Sequence, residues 1–146
     1  MTEAAQAYRQ VTALRPDFAE AYDNLGLISQ QQGDLDQAMS YYRKAIELKP
    51  EDASPYNHLG ALFFAKENWA ESRSWFQKSL ERNPNSSEIT SNLGAAYEAE
   101  GNLQEAARCY TEALRLEPGH PVTMENLRRL ETELRNQRTI PASSQE

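Results

Sequence analysis

The chain carries few of the residues that do chemistry. It holds one cysteine, Cys109, and two histidines in 146 residues, which excludes an internal disulfide and leaves no His/Cys set at metal-ligand spacing. It has no glycine-rich phosphate loop, and no pair of carboxylates stands out from an ordinary solvated helix face. Basic charge is in deficit too. Fifteen Lys and Arg stand against 22 Asp and Glu, a formal net charge of −7, which disfavours nucleic acid and anionic membrane as partners. No apolar run approaches the roughly 20 residues of a bilayer span, and the start "MTEAAQAYRQ" lacks the basic and apolar segments of a signal peptide. These absences point to a cytoplasmic chain the size of one domain, with no enzyme active site, metal or cofactor.

Repetition is what the sequence has in plenty. Pro16, Pro50, Pro84 and Pro118 follow one another at 34 residues, and Leu25-Gly26, Leu59-Gly60 and Leu93-Gly94 keep the same step. A small residue followed four later by an aromatic recurs as Ala38/Tyr42, Ser72/Phe76 and Ala106/Tyr110. Three registers in phase make a repeat array. Between the Leu-Gly pair and the small residue, Asp34, Asn68 and Asn102 each precede a Gln or Glu by three, which predicts a helix start with a capping-box partner. The prolines end the following helix, and Asp17, Asp52 and Ser86 are placed to cap the next. Each unit is therefore two helices and two short turns. Gly26, Gly60 and Gly94 fall mid-helix, where glycine costs about 1 kcal/mol against alanine. Close approach of the paired helix, with Ala38, Ser72 and Ala106 as the small residues opposite, is the expected compensation. Glu67 stands where Gly33 and Gly101 serve the turn, so that turn is expected to be either extended by one residue or strained. Ser29 and Thr90 replace aromatics of the pattern.

The aromatic, Leu-Gly, small, aromatic and terminal-proline pattern resembles the tetratricopeptide repeat. The resemblance implies an all-α fold, a right-handed α-solenoid of helix-turn-helix repeats. Full repeats span 19–52, 53–86 and 87–120. Residues 1–18 match only a second helix, with Ala4, Tyr8 and Val11 at its small, aromatic and small sites, read either as an N-terminal cap or as a truncated repeat. Residues 121–138 read as a C-terminal capping helix, in which Arg128 replaces the glycine. Its outward side carries Arg128, Arg135 and Arg138, and 139–146 form a tail too polar to fold.

In the family the first helices line a concave groove, and the sixth residue of each repeat faces it. Here that column is Asn24, His58, Asn92 and Asn126, similar to the asparagine ladder of O-linked N-acetylglucosamine transferases, which holds an extended peptide by its backbone. A carboxamide offers a donor and an acceptor, which suits a main chain. Asparagine also recurs on repeat surfaces as a solvent-tolerant residue bonding its neighbours, and that reading stays open. Flanking groove sites implied by the resemblance include Asp23 and Leu27 in the first repeat, Asn57, Ala61 and Phe64 in the second, Glu88 and Glu98 in the third, and Arg129 in the terminal helix. Phe64 either seats an apolar side chain of a ligand or packs against an adjacent first helix. Six groove carboxylates, Glu20, Asp23, Glu88, Glu98, Glu125 and Glu133, against Arg129 favour a basic or neutral peptide. The sites at which chaperone-binding members clamp a C-terminal carboxylate hold Asp23, His58, Glu88 and Asn92, so no carboxylate clamp is expected. The expected function is a protein-interaction scaffold. The alternatives are a self-association module acting through its repeat ends, or the substrate-recognition arm of a larger enzyme. Cys109 occupies the register of Tyr41 and Trp75, and Trp69 that of Leu35 and Leu103, which assigns both to packing.

Overall fold

The computed structural model describes residues 2–139. Among them are eight helices and no strand: α1 (Glu3–Leu14), α2 (Ala19–Gln31), α3 (Leu35–Leu48), α4 (Ser54–Ala65), α5 (Trp69–Arg82), α6 (Ser87–Ala99), α7 (Leu103–Leu116) and α8 (Pro121–Thr139). The tail expected over 139–146 lies outside the described residues from 140 onward, and Thr139 closes α8.

The prolines set where helices end. α1, α3, α5 and α7 each stop two residues before one, and their C-caps Arg15, Lys49, Asn83 and Glu117 share φ of −143° to −134° and ψ of 77° to 87°. Proline forces this, because its ring disfavours helical backbone in the residue before it. Helix starts follow the expected caps in part. Asp34, Asn68 and Ser86 accept the amides of Gln37, Glu71 and Ile89 at 3.0, 3.4 and 3.2 Å. Asn102 makes no side-chain cap bond, and Phe18 and Ala53, rather than Asp17 and Asp52, occupy the cap positions of α2 and α4. Asp52 instead accepts the amide of Ser54 at 3.1 Å.

Three-residue turns join α2 to α3, α4 to α5 and α6 to α7. Gly33 and Gly101 enter the left-handed region at φ 82° and 80°, and Glu67 is held there at φ 58°. The second turn is thus strained rather than extended, because a side chain in that region costs about 1–2 kcal/mol. Within each hairpin the helices approach at the glycine. A Cβ on Gly26, Gly60 or Gly94 would stand 2.4, 2.5 or 2.9 Å from the ring of Tyr42, Phe76 or Tyr110. The aromatic, not the small residue, fills the space that glycine leaves, which corrects the expected pairing. The small residue still meets the backbone there in one hairpin, where Ser72 donates to the Gly60 carbonyl at 2.8 Å.

Contacts divide the chain into two units between Pro84 and Asn85. In the first, α1 packs on α2 and α4 packs on α3 and touches α2. α1 buries Ala5 while Ala4 is exposed and Tyr8 and Val11 are half-buried. The core joins Ala38, Tyr42, Leu59, Leu62 and Phe63, each large apolar side chain contributing about 1.5–3 kcal/mol. Successive repeats are tied through backbone carbonyls: the hydroxyls of Tyr22 and Tyr56 donate to those of Pro16 and Pro50 at 3.2 and 3.0 Å. Within the second repeat Ser79 donates to the Ala53 carbonyl at 2.8 Å. Arg82 lies 3.8 Å over the Tyr56 ring.

In the second unit α8 packs on α7, and Leu103, Ala106, Tyr110 and Leu130 form the core, with Tyr97, Leu127 and Leu134 against it. Ser87 donates to the Ala113 carbonyl at 3.1 Å. Thr90, where the other repeats carry tyrosine, donates to Ser86 of its own helix at 2.7 Å. Arg128, Arg135 and Arg138 are exposed on α8.

Candidate functional site

The first helices of the repeats carry the residues singled out from the sequence. In the first unit these are α2 and α4. Asp23 on α2 is half-buried and accepts from Ser54 Oγ at 2.7 Å and from His58 Nδ1 at 2.8 Å, both on α4. An ionised carboxylate only accepts, so His58 carries a proton on Nδ1, which fixes the ring and turns Nε2 away from Asp23. The imidazole lies against the Tyr42 ring at 5.3 Å, and the Tyr42 hydroxyl donates to Gln30 Oε1 at 2.8 Å. Asp23, Ser54, His58, Tyr42 and Gln30 thus form one polar chain across three helices. Burial, then the charge of Asp23, holds the Tyr42 phenol well above its ordinary range.

Asn24 donates its Nδ2 to the Glu20 carbonyl at 2.9 Å, one turn back on its own helix. The amide oxygen and the second N–H are not used by that bond. Asn57 is buried, Ala61 is half-buried, and Leu27 packs against the core. Phe64 meets Trp69 edge-on with centroids 4.9 Å apart. That is packing inside its own hairpin, against the second helix.

In the second unit the corresponding helices are α6 and α8. Glu98 accepts the Tyr110 hydroxyl at 2.9 Å and a guanidinium N–H of Arg129. Burial first, then this hydrogen bond, raises the Tyr110 phenol, and the same carboxylate raises the already high Arg129. Asn92 and Asn126 are half-buried and Glu88 is exposed. Asn92 and Glu88 line a cleft of about 330 Å³ with Ser87, Ser91, Glu117, His120, Val122 and Thr123. Its floor is a hydrogen-bonded chain. Ser91 and Thr123 hydroxyls meet at 3.1 Å, and His120 Nδ1 lies 2.9 Å from the Thr123 hydroxyl and 3.3 Å from its amide. That amide can only donate, so His120 accepts at Nδ1 and keeps its proton on Nε2, whereas His58 donates from Nδ1.

The column at the sixth repeat position, three amides and an imidazole, thus sits in differing local settings. Gln30, Ser54 and Ser91 neighbour the column by register and Tyr42 and Tyr110 are aromatics of the repeat pattern, but their membership of polar networks, and the part of His120 and Thr123 in them, was not read from the sequence. Part of the signal was there. Where the second helix carries Tyr42 or Tyr110 the twelfth repeat residue is the acceptor Gln30 or Glu98, and where it carries Phe76 that residue is Phe64.

Among the described residues no group of three or more His, Cys, Asp or Glu is placed to hold a metal ion, and no helix is long and apolar enough to cross a membrane. Burial, then Glu105, pushes the Cys109 thiol up to about 11, which keeps it protonated and a poor nucleophile near neutrality.

Models of the tetratricopeptide repeat match residues 1–33, 19–52 and 51–117. No curated protein matches the chain. Among solved structures, the first tetratricopeptide domain of Spaghetti (RPAP3) bound to the HSP90 peptide SRMEEVD is 25% identical, with a TM-score of 0.77 over 80% of this chain and 93% of that one. The first such domain of human RPAP3 is 24% identical, with a TM-score of 0.79 over 86% and 99%. MamA is 21% identical, with a TM-score of 0.79 over 91% and 79%.

The first of these structures overturns the exclusion of carboxylate-clamp partners, since a domain of this fold holds a peptide ending in EEVD. The exclusion came from finding Asp23, His58, Glu88 and Asn92, with no Lys or Arg, at the clamp sites of a groove counted as acidic. Asp23 is in fact bonded to Ser54 and His58, Glu98 to Tyr110 and Arg129, and Glu125 to Arg128, so the repulsion of an acidic ligand is weaker than the count implies. Repeat-model matches running from residue 1 to 117, on helical hairpins in the fold of these structures, establish that the chain belongs to the tetratricopeptide-repeat family.

Proposed function

We propose that this chain is a protein-interaction scaffold that holds a peptide segment of a partner on its first helices, on α2 and α4 in one unit and on α6 and α8 in the other. The observation that carries the reading is the likeness to a peptide-bound tetratricopeptide domain over most of both chains. The half-buried amides of Asn24, Asn92 and Asn126 are the backbone-holding groups, and His58, fixed by Asp23, adds its Nε2 at the same repeat position. The segment is basic or neutral in its central residues. Glu20 and Glu88 are exposed on these faces, while Arg129 is engaged by Glu98.

Fluorescence anisotropy with two labelled heptapeptides tests this, SRMEEVD and a version with its three acidic residues changed to lysine. Each hydrogen bond to the peptide contributes about 0.5–1.5 kcal/mol. The variant combining Asn24→Ala, Asn92→Ala and Asn126→Ala should therefore weaken binding at least about tenfold, with circular dichroism unchanged. The lysine peptide should bind more tightly at low salt and lose that advantage as salt rises. Affinity unchanged in the folded triple variant would remove the asparagines from the reading.

A further inference from the structure

We infer that the cleft between α6 and the start of α8 is a receptor for the ammonium group of a lysine side chain of the bound segment. The inference rests on the peptide-binding reading and assigns one point of that surface. The cleft encloses about 330 Å³, at the small end of ligand sites, enough for one side chain. Its lining includes two carboxylates, Glu88 and Glu117, and no lysine or arginine. Both are exposed at the rim. Ser91 and Thr123 hydroxyls lie below them, and the exposed Val122 offers an apolar wall for the methylenes of a lysine stem.

The sign of the local field decides between a cation and an anion. α6 and α8 begin at the cleft, which brings about half a positive charge each, and α7 ends there at its cap Glu117, which brings about half a negative charge. Glu117 alone brings the sum to about −0.5, and Glu88, even shared with another partner, makes it no less negative. His120 does not reverse this, because Thr123 N–H donates to its Nδ1 and that nitrogen carries no proton. The helix starts are also already capped, by Ser86 and His120, which leaves them less to offer an anion. Glu88 need not be unpartnered, since a carboxylate has acceptor positions for more than one donor.

The test compares acetyl-Gly-Gly-Lys-Gly-Gly-amide with the same peptide carrying Nε-acetyl-lysine, in nuclear magnetic resonance titrations of the whole chain. The lysine peptide should shift the Ser91 and Thr123 amides and the His120 ring saturably, and the acetylated one should not. An exposed ion pair contributes up to about fivefold in affinity. Combining Glu88→Gln with Glu117→Gln should therefore weaken the lysine peptide by about tenfold, toward the behaviour of the acetylated one. Equal shifts from both peptides, shifts located elsewhere, or an undiminished preference in the double variant would overturn the proposal. Where the double variant does not fold, the wild-type comparison still decides. Loss of heptapeptide binding in the asparagine variant, beside no lysine preference here, would leave the general reading standing and remove this site alone.

Discussion

The hairpin α4–α5 and the hairpins α2–α3 and α6–α7 solve one packing problem in two ways. In all three, an aromatic on the second helix lies in the space a glycine leaves on the first. In α2–α3 and α6–α7 that aromatic is a tyrosine whose hydroxyl reaches Gln30 or Glu98. In α4–α5 it is Phe76, the matching residue is Phe64, and Phe64 turns to Trp69. A buried hydroxyl has to be paired, so the residue on the first helix follows from the ring behind it. Gln30, Phe64 and Glu98 occupy groove positions by register, yet each is engaged from inside its hairpin. Surface position and availability to a ligand are therefore separate properties, and the repeats differ in which residues have both.

The largest test of the shared half of this comparison is Gly60→Ala. A methyl 2.5 Å from the Phe76 ring costs about 1–3 kcal/mol of overpacking, against a helix-propensity gain of about 1 kcal/mol. The urea midpoint should fall for Gly60→Ala and Gly26→Ala, and less for Gly94→Ala, where the contact is 2.9 Å. Equal, negligible effects at all three would show that the rings yield and that the glycines are not there for packing.

The differing half is broken by Tyr110→Phe. Removing the hydroxyl leaves Glu98 one partner short, at about 1–2 kcal/mol, and loosens Arg129, which shares that carboxylate. A double-mutant cycle with Glu98→Ala, since a glutamine there would still accept as Gln30 does, should give a coupling of about 1 kcal/mol, whereas Phe76 has no hydroxyl to couple. Zero coupling would dissolve the distinction between the hairpins.

Alkaline pH sharpens the same contrast. The folded state keeps protons on Tyr42, Tyr110 and Cys109 where the unfolded chain releases them. Their contribution to stability is full below the unfolded values, about 8.5 for the thiol and about 10 for the phenols, and is lost as pH rises through the folded ones. Urea midpoints should hold to about pH 8.5 and then decline. Cys109→Ala should delay the onset, since its thiol is raised to about 11, and Tyr42→Phe should flatten the slope above pH 10. A midpoint independent of pH up to 11 would contradict the burial of these groups.

The smallest effect lies in the turns. Glu67→Gly removes the left-handed strain at φ 58° that Gly33 and Gly101 avoid, for a gain of about 1 kcal/mol. A thermal midpoint that does not rise would mean that the Glu67 side chain contributes as much as the strain costs.

The repeat was legible because its signals are local or strictly periodic. Proline ends a helix through the residue before it, and a mid-helix glycine marks close approach whatever lies opposite. The partner at that approach was misread, because periodicity says that Ala38 and Tyr42 share a face but not which of them reaches Gly26. The candidate site was less legible for a related reason. Asp23, His58 and Ser54 come from neighbouring repeats, and hydrogen bonds between residues 31 and 35 apart leave no trace in a single sequence. The tyrosine–acceptor pairing was visible in principle, since three internal copies already vary together at two positions.

The central claim is that the first helices form the binding surface. Its most direct measurement maps the lysine-substituted heptapeptide by amide shifts across the assigned chain. The account predicts shifts clustered at Asn24 and His58 in one unit and at Asn92, Thr123 and Asn126 in the other, lost in the triple asparagine variant. Shifts clustered instead on the exposed residues of α3, α5 and α7, such as Arg43, Gln77 and Arg108, and persisting in that variant, would contradict it.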